Sequence, residues 1–184
     1  MKNDKTASAS VINFLDKIKL LKTCPVSIIP NLDIIGREFK SRQWSFHPGI
    51  KDLNFPSDLK PGFLFAGFFK VQTGQRIKME EIVAFSKQSS LILPNALGLG
   101  SLTYCSEQIP KNTIFYGFDE EKNLWKVNDN IKAKDIVYVP ILFLNSEDYC
   151  SLIVDDASKE LNNSSGFVIF SEKPFPKELL KLVT

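Results

Sequence analysis

Histidine is almost absent from this 184-residue chain, and its scarcity limits the chemistry that the protein can perform. His47 is the only histidine. A histidine-rich metal site is therefore excluded, and a zinc site would need several thiolates at a ligand spacing that the sequence does not contain. We accordingly expect no metal and no other cofactor.

Cysteine is also scarce, and its spacing excludes a disulfide framework. The chain has three cysteines, Cys24, Cys105 and Cys150, an odd number without any C-x-x-C motif. This usage is typical of buried free thiols in a reducing compartment. A small cysteine-nucleophile hydrolase or transferase, with Cys105 or Cys150 activated by His47, is an alternative function. Neither cysteine lies in a known nucleophile motif, so a catalytic role is disfavoured.

Arginine is rare although basic residues are not. Only Arg37, Arg42 and Arg76 are arginine among the 23 basic residues, and the formal net charge is +2. Because bidentate recognition of phosphates and bases favours arginine, this composition argues against dedicated nucleic-acid recognition. Basic residues outnumber acidic ones over 1–100, and acidic ones prevail over 101–160. This asymmetry can steer a partner but says nothing about fold.

Long apolar segments are missing as well. The first ten residues, MKNDKTASAS, contain no apolar core of a signal peptide. The main apolar run, Ile136–Leu144, is too short to cross a bilayer as a helix. We therefore expect no membrane insertion and a cytoplasmic location.

The run Ile136–Leu144 predicts a core strand. It is rich in β-branched and aromatic residues and does not alternate, which is typical of a strand covered on both faces. Pro140 predicts an edge position or a bulge within it, because proline cannot donate to a ladder. A second run, Phe63–Val71, predicts a strand that neighbours the first.

Shorter patterns complete the predicted architecture. Apolar residues at helical spacing predict an amphipathic N-terminal helix that ends before Pro25, and a proline-initiated stretch, Pro176–Val183, predicts a short C-terminal helix. Two β-rich runs, Thr113–Phe118 and Leu124–Val127, predict a hairpin. The residues that define the N-terminal pattern are Val11, Phe14, Leu15, Ile18 and Leu21.

These elements predict an α+β domain with a mainly antiparallel sheet, a mixed sheet being the alternative. Residues 1–8 are polar and predict a disordered N-terminus, and residues 9–184 predict a single globular domain.

Gly98 and Gly100 do not complete a dinucleotide-binding motif, because Thr103 occupies the position of the third glycine. We interpret the segment Asn95–Ser101 as a flexible turn.

One segment, Arg37–Lys51, combines basic and aromatic residues. Arginine and tryptophan are enriched at protein-interface hot spots, and interleaved basic and aromatic residues also bind single-stranded nucleic acid. A structural role, in which Trp44 and Phe46 fill the core, explains the same pattern. The candidate partner-binding residues are Arg37, Lys40, Arg42, Trp44, Phe46 and His47.

The sequence thus favours a non-catalytic intracellular protein-binding module that acts as an adaptor, a chaperone-like accessory factor, or an inhibitor or immunity-type protein. Its expected partner is another protein. The first alternative is the cysteine-dependent hydrolase or transferase, and the second is weak binding of single-stranded nucleic acid. The sequence does not predict the oligomeric state.

Overall fold

A mixed β-sheet forms the centre of the structure, a computed structural model that describes residues 13–51, 59–118, 125–127 and 136–176. The strands are β1 (Ile18–Ile28), β2 (Ser45–Phe46), β3 (Gly62–Val71), β4 (Ile114–Tyr116), β5 (Trp125–Val127), β6 (Ile136–Leu144), β7 (Cys150–Asp156) and β8 (Ser165–Ser171). Their order across the sheet is β1–β3–β8–β4–β6–β7–β2, and β5 also pairs with β6.

Two of the described strand pairs are parallel. β4 runs parallel to β8, and β2 runs parallel to β7. Parallel neighbours need a long connection, and each of these pairs is joined through several intervening elements. The α+β class is therefore confirmed. The sheet is mixed, which agrees with the alternative prediction and not with the prediction of a mainly antiparallel sheet.

In the described part of the chain, three α-helices and one 3-10 helix connect the strands. They are α1 (Leu32–Ser41), α2 (Met79–Gln88), α3 (Ala96–Ser101) and the 3-10 helix Leu102–Gln108. Residues 13–15 are also helical. Among the helices that the structure describes, none combines the length and the apolar character that crossing a bilayer would require.

The predicted N-terminal helix is wrong from Ile18 onward. The chain leaves the helical residues 13–15 and enters β1, which pairs with β3 along its length. Ile18 and Leu20 are buried whereas Lys19 and Leu21 are exposed. Burial thus alternates from one residue to the next, as it does in a strand and not in a helix. The predicted C-terminal helix lies outside the described residues, apart from Pro176.

Both faces of the sheet are covered, because each central strand contributes side chains to two apolar clusters. One cluster joins α1 and α3 to one face, and the other joins α2 and residues 14–15 to the opposite face. β6 contributes Leu142 and Leu144 to the first cluster and Val139 and Ile141 to the second. The prediction of a core strand at Ile136–Leu144 is confirmed.

The neighbours of β6 differ from the prediction. β3 pairs with β1 and β8, so it does not contact β6 as a sheet neighbour. Pro140 pairs in continuous register with Val154 of β7, without an interruption of that ladder. On the other side of β6, Pro140 lies between the residues that pair with β5 and those that pair with β4. The missing donor is tolerated at this change of partner.

The predicted hairpin is also wrong. β4 and β5 each pair with β6, at residues 141–143 and 136–138 respectively, and not with each other.

The interpretation of Asn95–Ser101 as a flexible turn is wrong as well. This segment contains the buried helix α3, whose first N–H groups are capped by the Asn95 side chain at 3.0 and 3.2 Å. Gly100 allows α3 to approach α1, since an added Cβ would lie 2.7 Å from the Ile35 side chain.

Candidate functional site

Helix α1 provides the backbone of the candidate site. The Asn31 side chain accepts a hydrogen bond from the Ile34 N–H at 3.0 Å and starts the helix. Ile35 and Phe39 are fully buried on one side of α1, whereas Arg37 and Lys40 are exposed on the other. The helix therefore holds two of the predicted site residues at the surface while its apolar side is fixed in the core.

The chain turns sharply after α1 and joins the edge of the sheet. Gln43 has a positive φ of 57°, and the Trp44 N–H donates to the Phe39 carbonyl at 2.9 Å. Ser45 and Phe46 then form β2 beside β7, and the His47 N–H donates to the Leu152 carbonyl at 3.0 Å. The segment that carries the predicted site is thus anchored to the fold and is not a free loop.

An aromatic cluster connects the surface of the site to the core. Phe39 is fully buried and contacts Trp44 and Phe46 edge-on, with ring centroids 5.5 and 5.4 Å apart. Trp44 and Phe46 are half-buried and pack against the apolar cluster. The Arg42 guanidinium lies 4.7 Å from the centroid of the Trp44 ring and is paired with the Glu38 carboxylate. Trp44 and Phe46 therefore both fill the core and contribute to the surface.

An open cleft of about 810 Å³ lies between α1 and the segment that follows β2. Arg37, Lys40 and Lys51 supply cationic groups to its wall, and Asp33 is the one acidic residue among the described residues that line it. Phe46, Gly36, Pro48 and Ile50 supply apolar surface, and Asn31 and Leu32 also line the cleft. The cleft combines positive charge with an apolar floor.

The cationic groups of the cleft have no ion-pair partner among the described residues. Within the described part of the chain, Arg37, Lys40 and Lys51 make no ion pair, whereas neighbouring Arg42 is paired with Glu38. Three positive charges around one concave surface produce a positive potential that an anionic partner can use.

His47 has a positional role in the loop. Its Nδ1 accepts a hydrogen bond from the Gly49 N–H at 3.1 Å. The bond closes the turn that carries Pro48 into the cleft lining. The structure therefore brings Arg37, Lys40 and Phe46 together in the cleft, with Arg42, Trp44 and His47 beside them.

Tyr104, on the 3-10 helix, is an exposed aromatic residue that was not predicted. Its side chain is 42% exposed, and partial burial together with the Glu38 carboxylate raises the pKa of its phenol, whereas Arg42 and Arg37 act in the opposite direction. No local pattern could identify Tyr104, because it is remote from the segment Arg37–Lys51 in sequence.

The cysteines do not provide an accessible catalytic centre beside His47. The backbone of His47 contacts β7, but Cys150 on that strand is fully buried, and burial raises the pKa of its thiol to about 12. All three cysteines are free thiols, and Cys105 is half-buried where the sequence predicted a buried residue. No cluster of three or more potential metal ligands occurs in the described ranges.

Comparisons with protein families, with characterised proteins and with solved structures find no match for this chain. The inference of function therefore depends on the geometry and the charges of the cleft.

Proposed function

We propose that this protein is a non-catalytic intracellular binding module that receives an acidic segment of a partner protein in the cleft beside α1. The observation that carries the proposal is the set of three cationic side chains, Arg37, Lys40 and Lys51, that have no ion-pair partner in the described structure and surround an apolar floor. Carboxylates of the partner would pair with these cations, and an apolar side chain would contact Phe46 and Pro48.

The aromatic residues support a protein partner over a nucleic acid. Stacking of a base needs an open aromatic face, but one face of Trp44 carries the Arg42 guanidinium and the ring also makes a T-shaped contact with Phe39. Phe46 is half-buried in the same cluster. The Arg42–Trp44 pair is instead typical of the side chains that dominate protein interfaces.

A cysteine-dependent enzyme receives less support. The thiol of Cys150 is protonated at neutral pH and has no exposed surface, and Cys105 lies on a different element from His47. A substrate would not reach a thiolate beside the imidazole.

The decisive experiment measures how tightly an acidic peptide, polyglutamate, binds to variants of Asn31. Asn31 lines the cleft and caps α1, and aspartate and serine are both good N-caps. N31D adds a negative charge to the cleft, whereas N31S leaves the charge unchanged. We expect N31D to weaken binding of a polyglutamate peptide by about tenfold, about 1.4 kcal/mol, and N31S to bind like the wild type.

A second set of variants tests the cations directly. R37E should abolish binding of the same peptide in isothermal titration calorimetry, whereas K173E, which reverses an exposed charge outside the cleft, should change affinity little. Stronger binding of a single-stranded oligonucleotide than of polyglutamate, with affinity that falls steeply as salt increases, would favour the nucleic-acid alternative. Equal affinities of R37E and the wild type would refute the proposal.

The Arg42–Trp44 pair is tested in the same assay, with a partner captured from native cytoplasm as a second ligand. The double variant R42A/W44A should weaken binding of that partner, if circular dichroism shows that the variant keeps its fold. A folded double variant that binds as well as the wild type would exclude this pair from the interface.

A further inference from the structure

Two lysines face each other at the edge of the described sheet. Lys19 of β1 and Lys70 of β3 are paired directly in the antiparallel ladder, so their side chains lie on the same face. Like charges at directly opposed positions repel each other and destabilise a strand pair. Lys19 is exposed but Lys70 is half-buried, so water screens the repulsion only in part. The pairing of the two lysines therefore costs stability in the unliganded protein.

The described part of the chain supplies no counterion to the two lysines. Neither Lys19 nor Lys70 makes an ion pair there, whereas Lys17, directly before β1, pairs with Glu81. The other neighbour of Lys70 in the sheet is Gly166 of β8, which has no side chain that could approach the ammonium group. The two opposed positive charges are thus available to an anion from outside the described structure.

A cavity of about 490 Å³ lies beside the two lysines, and we name it the dilysine cavity. No carboxylate is among the described residues that line it. Thr73 and Asn163 add polar side chains that can donate hydrogen bonds, and Leu21 adds an exposed apolar side chain. The Gln72 side chain, also in the lining, donates to the Ile18 carbonyl at 2.9 Å. This bond ties the end of β3 to the start of β1 and fixes one wall of the cavity.

We propose that the dilysine cavity binds the phosphate group of a small phosphomonoester. Such a group carries a charge of about −1.5 to −2 at pH 7 and three acceptor oxygens, so it can pair with both ammonium groups at once. A single carboxylate carries less charge and would leave part of the repulsion in place. The volume lies within the range of about 300–1,000 Å³ that is usual for small-ligand pockets, and Leu21 offers apolar contact to the rest of the ligand.

The dilysine cavity is separate from the cleft beside α1. The two share no described lining residue, and they are formed by different elements. The phosphate proposal therefore does not depend on binding of an acidic partner in the cleft. A measurement that resolves individual residues distinguishes failure at one site from failure at the other.

A titration followed by ¹H–¹⁵N NMR tests the site, with sodium phosphate as the probe and sodium acetate at equal ionic strength as the reference. We expect phosphate, but not acetate, to shift the backbone amide signals of residues 19, 70, 73 and 163. K19Q and K70Q should each weaken phosphate binding by about tenfold. K22Q, which removes a charge from β1 outside the described lining of the cavity, is the matched control and should bind phosphate like the wild type.

Stability in the absence of phosphate gives a second measurement. K70Q removes the repulsion between the two lysines, so urea denaturation should show it to be at least as stable as the wild type. Added phosphate should stabilise the wild type and not K70Q. A K70Q variant that is less stable than the wild type without phosphate would show that Lys70 has a structural role, and it would overturn the proposal.

Phenyl phosphate tests the apolar part of the site. It should bind more tightly than inorganic phosphate, and L21S should remove this difference. Equal affinities of the wild type for the two compounds would refute a phosphomonoester as the ligand. Equal signal shifts with phosphate and acetate, or wild-type affinity for phosphate in both K19Q and K70Q, would refute the site itself.

Discussion

Gly166 lies where β8 is in close contact with both of its neighbouring strands. It is on β8, between Lys70 of β3 and Phe115 of β4. A Cβ at this position would lie 2.2 Å from the Phe69 carbonyl oxygen and 3.0 Å from the Phe115 ring. Since the first neighbour is backbone of a paired strand, it cannot move aside without disturbing the ladder.

We therefore expect G166A to lower the free energy of unfolding by about 3 kcal/mol, the upper end for overpacked cores. Urea denaturation measures this change. G62A is the matched control, because a Cβ on Gly62 would have only the Lys60 carbonyl oxygen nearby, at 3.9 Å, and should change stability by less than about 0.5 kcal/mol. Equal effects of the two substitutions would contradict the close approach of the central strands.

Gly36 differs from Gly166, because the space around it can accept a larger side chain. It lies inside α1, and a Cβ there would make ordinary contact with the Phe46 ring at 3.5 Å. Because glycine is a poor residue within a helix, G36A should raise the free energy of unfolding by about 0.5–1 kcal/mol in urea denaturation. The larger G36L side chain should occupy the cleft and reduce binding of polyglutamate without unfolding the protein. A destabilised G36A would show that α1 and Phe46 are packed more tightly than the 3.5 Å separation indicates.

Part of the candidate site could be predicted from composition, because its residues are adjacent in sequence. Arg37, Arg42 and Trp44 are conspicuous in a chain that is poor in arginine and tryptophan. Asn31 and Tyr104 could not be identified from the sequence as surface residues of interest. Asn31 is placed by its role as the cap of α1, and Tyr104 lies on a 3-10 helix that is remote in sequence. Their participation depends on tertiary packing, which local composition does not encode.

At the scale of single elements, α1 depends on its first residue. The Asn31 cap satisfies one of the N–H groups that a helix leaves unpaired at its start, and Asp33 in the first turn adds a favourable charge. We expect N31A to lower the free energy of unfolding by about 1 kcal/mol and N31S to retain most of the stability. Thermal unfolding followed by circular dichroism measures both. If N31A and N31S are equally stable, the side-chain hydrogen bond does not contribute to α1.

β1 shows why an element can be assigned wrongly from its own sequence. Ile18 and Leu21 fit helical spacing, but pairing with β3 selects the strand and leaves Leu21 exposed. Pro25, which indicated the end of a helix, is accommodated within β1 because that strand lies at the edge of the described sheet. The apolar runs of β3 and β6 were predicted correctly, since burial on both faces requires continuous apolar sequence.

At the scale of the whole molecule, the half-buried carboxylate of Asp155 links stability to pH. The Asp155 carboxylate accepts hydrogen bonds from the Tyr116 hydroxyl at 2.7 Å and the Asp156 N–H at 2.8 Å, and it pairs with Lys159. Burial alone would raise the pKa of Asp155, but the hydrogen bonds from Lys159 and Tyr116 outweigh it and lower the pKa.

A carboxyl whose pKa is lower in the folded state stabilises the protein above its unfolded pKa of about 4, and this contribution is lost as the pH falls further. We expect the free energy of unfolding to decrease below about pH 4, with a shallower decrease in D155N. Urea denaturation between about pH 2 and 6 gives the profile. E172Q, at an exposed carboxyl without an ion pair in the described structure, is the control and should leave the profile unchanged. A D155N profile identical to the wild type would exclude Asp155 as a cause of the acid loss.

The central position of β8 has a consequence for synthesis. β8 lies between β3 and β4, although residues 165–171 are made after every other strand that the structure describes. Among these strands, no ladder joins the β1–β3 pair to β4, β6, β7 and β2 until β8 leaves the ribosome. During translation the nascent chain therefore contains two incomplete parts of the sheet with exposed apolar surface. The sheet is completed only when β8 pairs with β3 and β4. Such closure through contacts between distant segments is slow, and it makes translation the period in which this protein is most prone to aggregate.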